Sequence, residues 1–405
     1  MPDNMTNEWL NLPGKKVDCI NEKGQCRYNL NGETIKDEDG EVLCSTEKIK
    51  RYIGNLVLAF CLPTDNIVLL AGAGASVVTD NKGNIDTRYG LTMKELRQVV
   101  FRKLDEKHKS NEVYDFEELA KMTSFLPKED ETNLEEFLSV LIESQAFIKR
   151  GRKKYQRSIE TIRSIIKFKT SYEYNPDVFK HAALIQELSA LVKRPDRLSV
   201  VTTNYDTLFE DAADYIDFTV FDGFNFTHTP KFNSDMFDWS LAKEIADKKS
   251  NKIEYKKSVI NLLKIHGSLT WTRAEDGAII RENKKNIKDP LMIFPSSNKY
   301  RQSYEDPYFE LFSKFQELLK RPNTLLLTTG FSFADDHISK MIIQAIKHNP
   351  GLSILACDYT LDTSYKCSNW KELLKLQDDG FRIGFCRATL DKDLTIYFRN
   401  GGRYD

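Results

Sequence analysis

Four short stretches of this sequence combine polar and small side chains in a way that could support chemistry. They read GAGAS (residues 72–76), TTNYD (202–206), HGS (266–268) and TTGFS (328–332), and each follows an apolar run. An asparagine amide donates and accepts hydrogen bonds at one place, and histidine exchanges protons near neutral pH. Small residues let backbone N–H groups approach a phosphate at a helix N-terminus. The four stretches together are stronger evidence for a functional site than any one of them alone.

The glycine-rich first stretch has two interpretations. Gly72, Ala73, Gly74 and Ser76 could cradle a pyrophosphate, but Val77 stands where the dinucleotide fingerprint has its third glycine. Close packing of the strand against a helix would require the same small residues. The first stretch alone therefore does not distinguish phosphate binding from close packing, and the other three stretches are needed to interpret it.

The polar residues of the second and third stretches also have structural alternatives. Asn204 could hold a ribose hydroxyl or a water, and Asp206 could orient its amide. An Asx turn and a helix N-cap would explain the same two residues. His266 could be a proton acceptor at a strand end, or a buried histidine with satisfied hydrogen bonds.

In the fourth stretch, Gly330 and Ser332 could hold a nucleotide ribose or phosphate. We predict that Asp335 or Asp336 is the N-cap of the helix that follows. We do not expect the Asp-Asp-His run at 335–337 to bind a metal, because adjacent residues on a forming helix point in different directions.

These residues need strands that end at one edge of a sheet. Apolar runs with strand character alternate with segments of helical period, and they lie at 66–71, 198–204, 218–224, 261–271, 290–297, 323–333 and 352–360. The alternation predicts an α/β fold, a Rossmann-like doubly wound parallel sheet, in which ligands bind beyond the carboxyl ends of the strands.

The same patterns predict how the chain divides. We expect a β-rich extension at 1–48 and a nucleotide-binding core formed by 49–92 and 195–362. A large helical insertion at 93–194 interrupts this core, because nearly every segment there has helical period. A helix–strand extension at 363–405 ends the chain, and its strand is expected within DLTIYFRNGG, residues 393–402.

Composition limits the possible functions. The 405 residues are 40% hydrophobic and 29% charged with a net charge of -1, which is typical of a soluble globular protein and gives no bulk attraction to nucleic acids or membranes. The apolar runs are too short to span a bilayer. Seven cysteines without a C-x-x-C pair indicate free thiols in a reducing cytoplasm. The basic segment 149–157 is either a solvated face or a contact for a partner or nucleic acid.

The motifs GAGAS, TTNYD, KIHGS and GFSFADDHI occur in the order of the sirtuin-like NAD-binding family. They resemble its divergent prokaryotic branch, found in anti-phage defence proteins, more than the protein deacetylases. The resemblance covers roughly residues 66–358. It implies that NAD is the substrate.

The resemblance also implies roles for individual residues. Asn204 matches the asparagine that positions the nicotinamide ribose and a water, Asp206 its supporting aspartate, and His266 the catalytic histidine. The implied NAD-binding residues are Gly72, Ala73, Gly74, Ser76, Thr203, Gly330, Ser332 and Asp358.

Two departures from the deacetylases bear on the reaction. Their zinc module of two C-x-x-C pairs has no possible counterpart here, so we expect no metal. Thr203 replaces the glutamine that precedes their catalytic asparagine. Both departures argue against acyl-lysine chemistry and leave NAD cleavage.

The sequence and the resemblance together predict a cytoplasmic NAD glycohydrolase that depletes NAD in prokaryotic anti-phage defence. The resemblance implies control by homo-oligomerisation or by a partner such as a HerA-type ATPase. The alternatives are an NAD-dependent protein deacylase and a non-catalytic module that senses NAD or ADP-ribose.

Overall fold

One β-sheet carries all four polar stretches at the same edge. The structure, a computed structural model, describes residues 6–22, 25–37, 39–80, 82–126, 134–193, 195–247, 250–287, 289–292 and 306–399. The strands are β1 Thr6–Leu12, β2 Lys15–Glu22, β3 Gln25–Leu30, β4 Glu33–Thr34, β5 Asn66–Ala71, β6 Leu198–Thr202, β7 Thr219–Phe221, β8 Ala242–Asp247, β9 Ser250–Tyr255, β10 Val259–Lys264, β11 Trp271–Arg273, β12 Ile279–Arg281, β13 Thr324–Thr329, β14 Leu352–Asp358 and β15 Ile383–Arg387.

The helices lie between these strands. They are α1 Thr46–Cys61, α2 Met93–His108, α3 Phe116–Thr123, α4 Leu134–Ser144, α5 Arg152–Thr170, α6 His181–Leu191, α7 Leu208–Tyr215, α8 Tyr308–Lys320, α9 Asp336–His348, α10 Ser368–Asp378 and α11 Leu394–Phe398.

The strand order confirms the predicted doubly wound sheet. Within the described residues, eleven strands pair in the order β4-β3-β2-β1-β15-β14-β13-β5-β6-β10-β7. The seven strands from β15 to β7 are parallel, and β1 to β4 continue the sheet as antiparallel strands. After β5 the chain builds outward through β6, and after β13 it builds outward in the opposite direction. The order therefore reverses between β5 and β13, and such a switch point opens a crevice at the carboxyl ends of the strands.

Helices cover both faces of the parallel strands, which is why these strands are apolar at nearly every position. Ile67 and Leu69 of β5 pack into a core with α1, α6, α7 and α11. Val68 and Leu70 point the other way and pack with α8, α9 and α10. The alternation of the strand thus divides one apolar run between two cores.

The helical insertion has a core of its own. Helices α2 to α5 bury Val100, Phe137 and Tyr155 together. The same core includes Leu269, just after the HGS stretch, and contacts Tyr205. Helix α6 lies inside the range predicted for the insertion, yet it packs on the sheet with α7. Helix α6 therefore packs in a different core from α2 to α5.

The two ends of the chain belong to the same sheet. Strand β15 lies parallel to β14 and antiparallel to β1, so the C-terminal segment continues the parallel sheet. The strand predicted within 393–402 is wrong over residues 394–398, which form α11. Leu394, Tyr397 and Phe398 are buried, and their spacing of three and four residues places them on one face of a helix.

Another predicted strand is described only in part. Residues 293–297 of the run at 290–297, like residues 400–402 of the last run, lie outside the described residues. Met292 makes an isolated bridge with Gly267 of the HGS stretch.

No helix in the described ranges is long and apolar enough to cross a lipid bilayer.

We expect Leu10→Ala to lower the free energy of unfolding by about 2–5 kcal/mol, the usual cost of truncating a buried leucine. Leu10 is fully buried and pairs with Cys386 of β15, so it belongs to the main core. Chemical denaturation measures the loss, with Lys15→Ala on the exposed surface of β2 as control. Equal stabilities for the two variants would show that β1 folds apart from the sheet.

Candidate active site

The four polar stretches lie side by side because their strands are neighbours. Strands β13, β5, β6 and β10 are consecutive in the sheet, and the stretches 328–332, 72–76, 202–206 and 266–268 lie at their carboxyl ends and in the loops that follow. All four loops leave the carboxyl edge of the sheet, at and beside the switch point.

Glycines allow the first and fourth loops to touch backbone to backbone. The Gly74 N–H donates to the carbonyl oxygen of Gly330, with an N···O distance of 2.9 Å. Gly330 has φ +60°, and a Cβ there would lie 2.1 Å from the backbone nitrogen of Ala75. A Cβ on Gly72 would lie 2.6 Å from the Gly330 carbonyl oxygen. These glycines therefore serve the contact between two loops.

The structure corrects one premise of the phosphate interpretation. After β5 the chain forms a short 3-10 turn, Ala73–Ser76, and the next described α-helix begins only at Met93. The helix N-terminus expected directly behind the glycine loop is absent from the described residues. A helix dipole therefore cannot contribute to anion binding there.

Ser76 joins Asn204 to Asp206. The Asn204 Nδ2 donates to Ser76 Oγ at 2.9 Å, and Ser76 Oγ donates to Asp206 Oδ2 at 2.7 Å. The other carboxylate oxygen, Oδ1, accepts the backbone N–H of Leu208 at 3.1 Å. All three side chains are buried. Asp206 thus supports Asn204 through Ser76 and also makes the turn contact considered from the sequence.

A buried lysine lies beneath this group. Lys264 Nζ donates to the backbone carbonyls of Tyr205 and Asp206 and lies 2.8 Å from Glu210 Oε1. Burial raises the pKa of both Asp206 and Glu210, and the positive charge of Lys264 opposes that rise. Lys264 was not selected from the sequence, although a lysine inside the apolar run NLLKI is an available signal.

His266 is buried and faces an aspartate from the fourth loop. Its Nε2 lies 3.5 Å from Asp335 Oδ2, and both side chains are nearly inaccessible to solvent. Gly267 follows with φ +92°, and a Cβ there would lie 2.2 Å from the Leu291 carbonyl oxygen. The sharp turn after His266 therefore requires glycine.

Asp335 is the N-cap of α9, as predicted for Asp335 or Asp336. Its Oδ1 accepts the backbone N–H groups of His337 and Ile338. Its proximity to His266 was not predicted, because that contact joins segments almost seventy residues apart in the sequence.

The remaining candidate residues lie around this centre. Thr203 donates its backbone N–H to the carbonyl of Ala71, which fixes the second loop against β5. Asp358 ends β14, one strand beyond β13, and its carboxylate forms an ion pair with Lys366. The Ser332 hydroxyl accepts the Ala334 N–H at 3.4 Å.

A second group of titratable side chains lies in the helical insertion. His108, Asp115 and Glu118 have potential ligand atoms within 4.8 Å of one another. Asp115 and Glu118 form the capping box of α3, which explains their proximity without a metal.

Comparison with known proteins gives one family match. The model of the SIR2-like domain family matches residues 198–374. This range contains the TTNYD, HGS and GFS stretches and ends within α10, while the GAGAS loop lies before it. Curated proteins gave no significant match.

Similar solved structures include Sir2 enzymes. One, from work on the mechanism and regulation of Sir2 enzymes, is 12% identical over 86% of this chain and 97% of its own, with a TM-score of 0.36. A Sir2 mutant with p53 peptide and NAD is 12% identical over 86% and 99%, with a TM-score of 0.36. A sirtuin from work on substrate affinity is 13% identical over 85% and 96%, with a TM-score of 0.30.

We expect Asp206→Asn to have a free energy of unfolding at neutral pH equal to or above that of the wild type. Burial raises the pKa of Asp206 above its usual 3.8, so the carboxylate destabilises the folded state at pH values above the folded-state pKa. This penalty disappears as the pH falls through that pKa toward 3.8. Urea denaturation at several pH values should therefore show that the free energy of unfolding of the wild type rises relative to that of the variant as the pH is lowered.

Asp362→Asn is the control, because the pKa of Asp362 is shifted in the opposite direction from that of Asp206. Hydrogen bonds from Ser364 lower the pKa of the exposed Asp362, so its contribution is present at neutral pH and is lost on acidification. An Asp206→Asn protein that is markedly less stable than the wild type at every pH would contradict this account of the site.

Proposed function

We propose that the protein is an NAD glycohydrolase, which releases nicotinamide from NAD. The match of the SIR2-like domain family model to residues 198–374 supports this proposal. The observation that carries the proposal is the position of Asn204 and His266. Both are buried on the loops of adjacent strands, and the Asn204 amide is held by a serine and an aspartate. Such fixed polar groups beside a switch-point crevice are suited to a reacting ribose.

Asn204 would act as a fixed dipole in this reaction. Its Nδ2 is committed to Ser76, so the amide orientation is set before substrate binds. The amide oxygen can then hold a ribose hydroxyl or a water at a defined place. A dipole that needs no reorganisation stabilises the developing charge of an oxocarbenium-like transition state more than water does.

His266 would accept the proton that hydrolysis produces. The bond between C1′ and the nicotinamide nitrogen breaks, and its electron pair leaves with nicotinamide. Water then adds to C1′ and gives ADP-ribose, and the proton lost by that water passes to the imidazole. The buried setting around His266 limits access of other water to the cation.

The rest of the NAD molecule would lie along the edge of the sheet. We place the pyrophosphate near Gly72, Ala73 and Gly74, and the adenosine toward Gly330, Ser332 and Asp358. Ser76 and Thr203 would lie next to the nicotinamide ribose. The order of the strands supports this direction, because β14 and β13 lie on one side of β5 and β6 lies on the other.

The biological setting of the proposal follows from the resemblance described above. We propose that the enzyme acts in the cytoplasm of a prokaryote and depletes NAD during phage infection. Control would come from homo-oligomerisation or from a HerA-type ATPase. Tests of activity therefore include the protein alone and together with any ATPase encoded beside it.

Purified protein should release nicotinamide from NAD, and Asn204→Ala and His266→Ala should each lower the rate about 100-fold or more. Chromatography of nicotinamide and ADP-ribose measures the reaction, and circular dichroism verifies folding. Wild-type activity in both variants would refute the site. NAD binding without nicotinamide release would favour the sensor, and removal of acyl groups from peptide lysines would favour the deacylase.

Ser76→Ala distinguishes support of Asn204 from direct phosphate binding. If Ser76 acts through Asn204 and Asp206, its loss should lower kcat about 10–100-fold, equivalent to one hydrogen bond to a charged group, and change KM little. A rise in KM at constant kcat would instead assign Ser76 to substrate binding. Ser110→Ala is the matched control, because among the described residues the Ser110 hydroxyl bonds only to the Lys107 carbonyl, within the helical insertion.

A further inference from the structure

The contact between His266 and Asp335 joins two strands that are not neighbours. Strands β5 and β6 separate β10 from β13, so the two strands lie three spacings apart, or about 14 Å at about 4.8 Å per spacing. Nevertheless His266 Nε2 and Asp335 Oδ2 are 3.5 Å apart. The loops of the two strands therefore converge above the ends of β5 and β6, where Asn204 and Ser76 lie.

The helix cap alone does not account for this carboxylate. Capping uses Oδ1, which accepts the N–H groups of His337 and Ile338, while Oδ2 is the atom that faces His266. Serine and asparagine cap helices as well as aspartate does. Oδ2 of this nearly inaccessible side chain therefore makes a contact with His266 that capping does not require.

We propose that Asp335 is the positioning residue of His266 and that it holds a proton on the imidazole Nε2. An imidazole that carries its hydrogen on Nε2 has its lone pair on Nδ1, so Nδ1 becomes the atom that accepts a proton from the reacting water or ribose. The carboxylate then stabilises the imidazolium that results. The proton returns to solvent after the products leave. This inference rests on the proposed function for its reaction, but the Asp335–His266 pairing can be tested without NAD.

The chain contains a matched control for such a pair. Asp115 is the N-cap of α3, and its Oδ1 accepts the Glu118 N–H at 2.8 Å. Its Oδ2 lies 3.7 Å from Nε2 of His108. The arrangement of cap and histidine is therefore similar, but this pair is more exposed and lies in the helical insertion, away from the strand ends.

The activity test uses Asp335→Asn and Asp335→Ser, which keep a capping side chain and remove the carboxylate. Each should lower kcat for nicotinamide release at least tenfold, with KM within about twofold of the wild type, because positioning of a proton acceptor acts on the chemical step. Asp115→Asn should retain wild-type kcat and KM. If the Asp335 variants release nicotinamide at the wild-type rate, the inference is overturned and the proposed function still stands.

The second measurement reads the histidine directly and needs no substrate. Nitrogen-15 NMR of labelled histidine reports which ring nitrogen carries hydrogen, and His266→Ala assigns the signal among the six histidines. We expect hydrogen on Nε2 of His266 in the wild type and a mixture of the two tautomers in Asp335→Ser. Hydrogen on Nδ1 in the wild type, or the same tautomer in both proteins, would refute the positioning role even if NAD were never cleaved.

Discussion

The hydroxyl group of Ser76 connects the parts of this site. It accepts a hydrogen bond from the Asn204 amide and donates one to the Asp206 carboxylate, so two loops from adjacent strands are held through one oxygen atom. Without it, the amide and the carboxylate would each lose a buried partner, and an unmet buried polar group costs about 1–3 kcal/mol. Asn204 follows β6, and its position therefore depends on Ser76 from the loop after the neighbouring strand β5.

This arrangement places negative charge in the interior, and Lys264 compensates for it. Its ammonium group contacts Glu210 and the carbonyls at Tyr205 and Asp206. The raised pKa of Asp206 and Glu210 indicates that compensation is incomplete, since desolvation is the largest influence on both groups. A fold that needed only stability would place apolar residues here. The retained charges are consistent with a site that gives up stability for a fixed polar geometry.

The sequence was sufficient for the parallel strands β5, β6, β10, β13 and β14 and for the identity of the polar residues at their edge, but not for β15 and β1 to β4 as parts of the same sheet. Buried parallel strands are apolar throughout, and Asn204 and His266 directly follow such runs, so their order along the chain could be read from local patterns. The contacts between loops could not be read in this way. Ser76 bonds to residues about 130 positions away, and Asp335 reaches a histidine across two intervening strands. The local pattern also predicted a strand at 394–398, where the chain forms a helix. Over only five residues, the apolar spacing of a strand and that of a helix are difficult to distinguish.

The four loops form a closed ring, and this has a consequence for the candidate site. The first loop binds the second through Ser76, and the second binds the third through the Leu269 N–H and the Tyr205 carbonyl, 3.0 Å apart. His266 and Asp335 join the third loop to the fourth, and Gly74 and Gly330 join the fourth to the first. Tyr205 and Leu269 also pack against the core of the helical insertion. Displacement of any one loop therefore strains contacts around the whole ring, and a shift of the insertion would act on the two loops that carry Asn204 and His266.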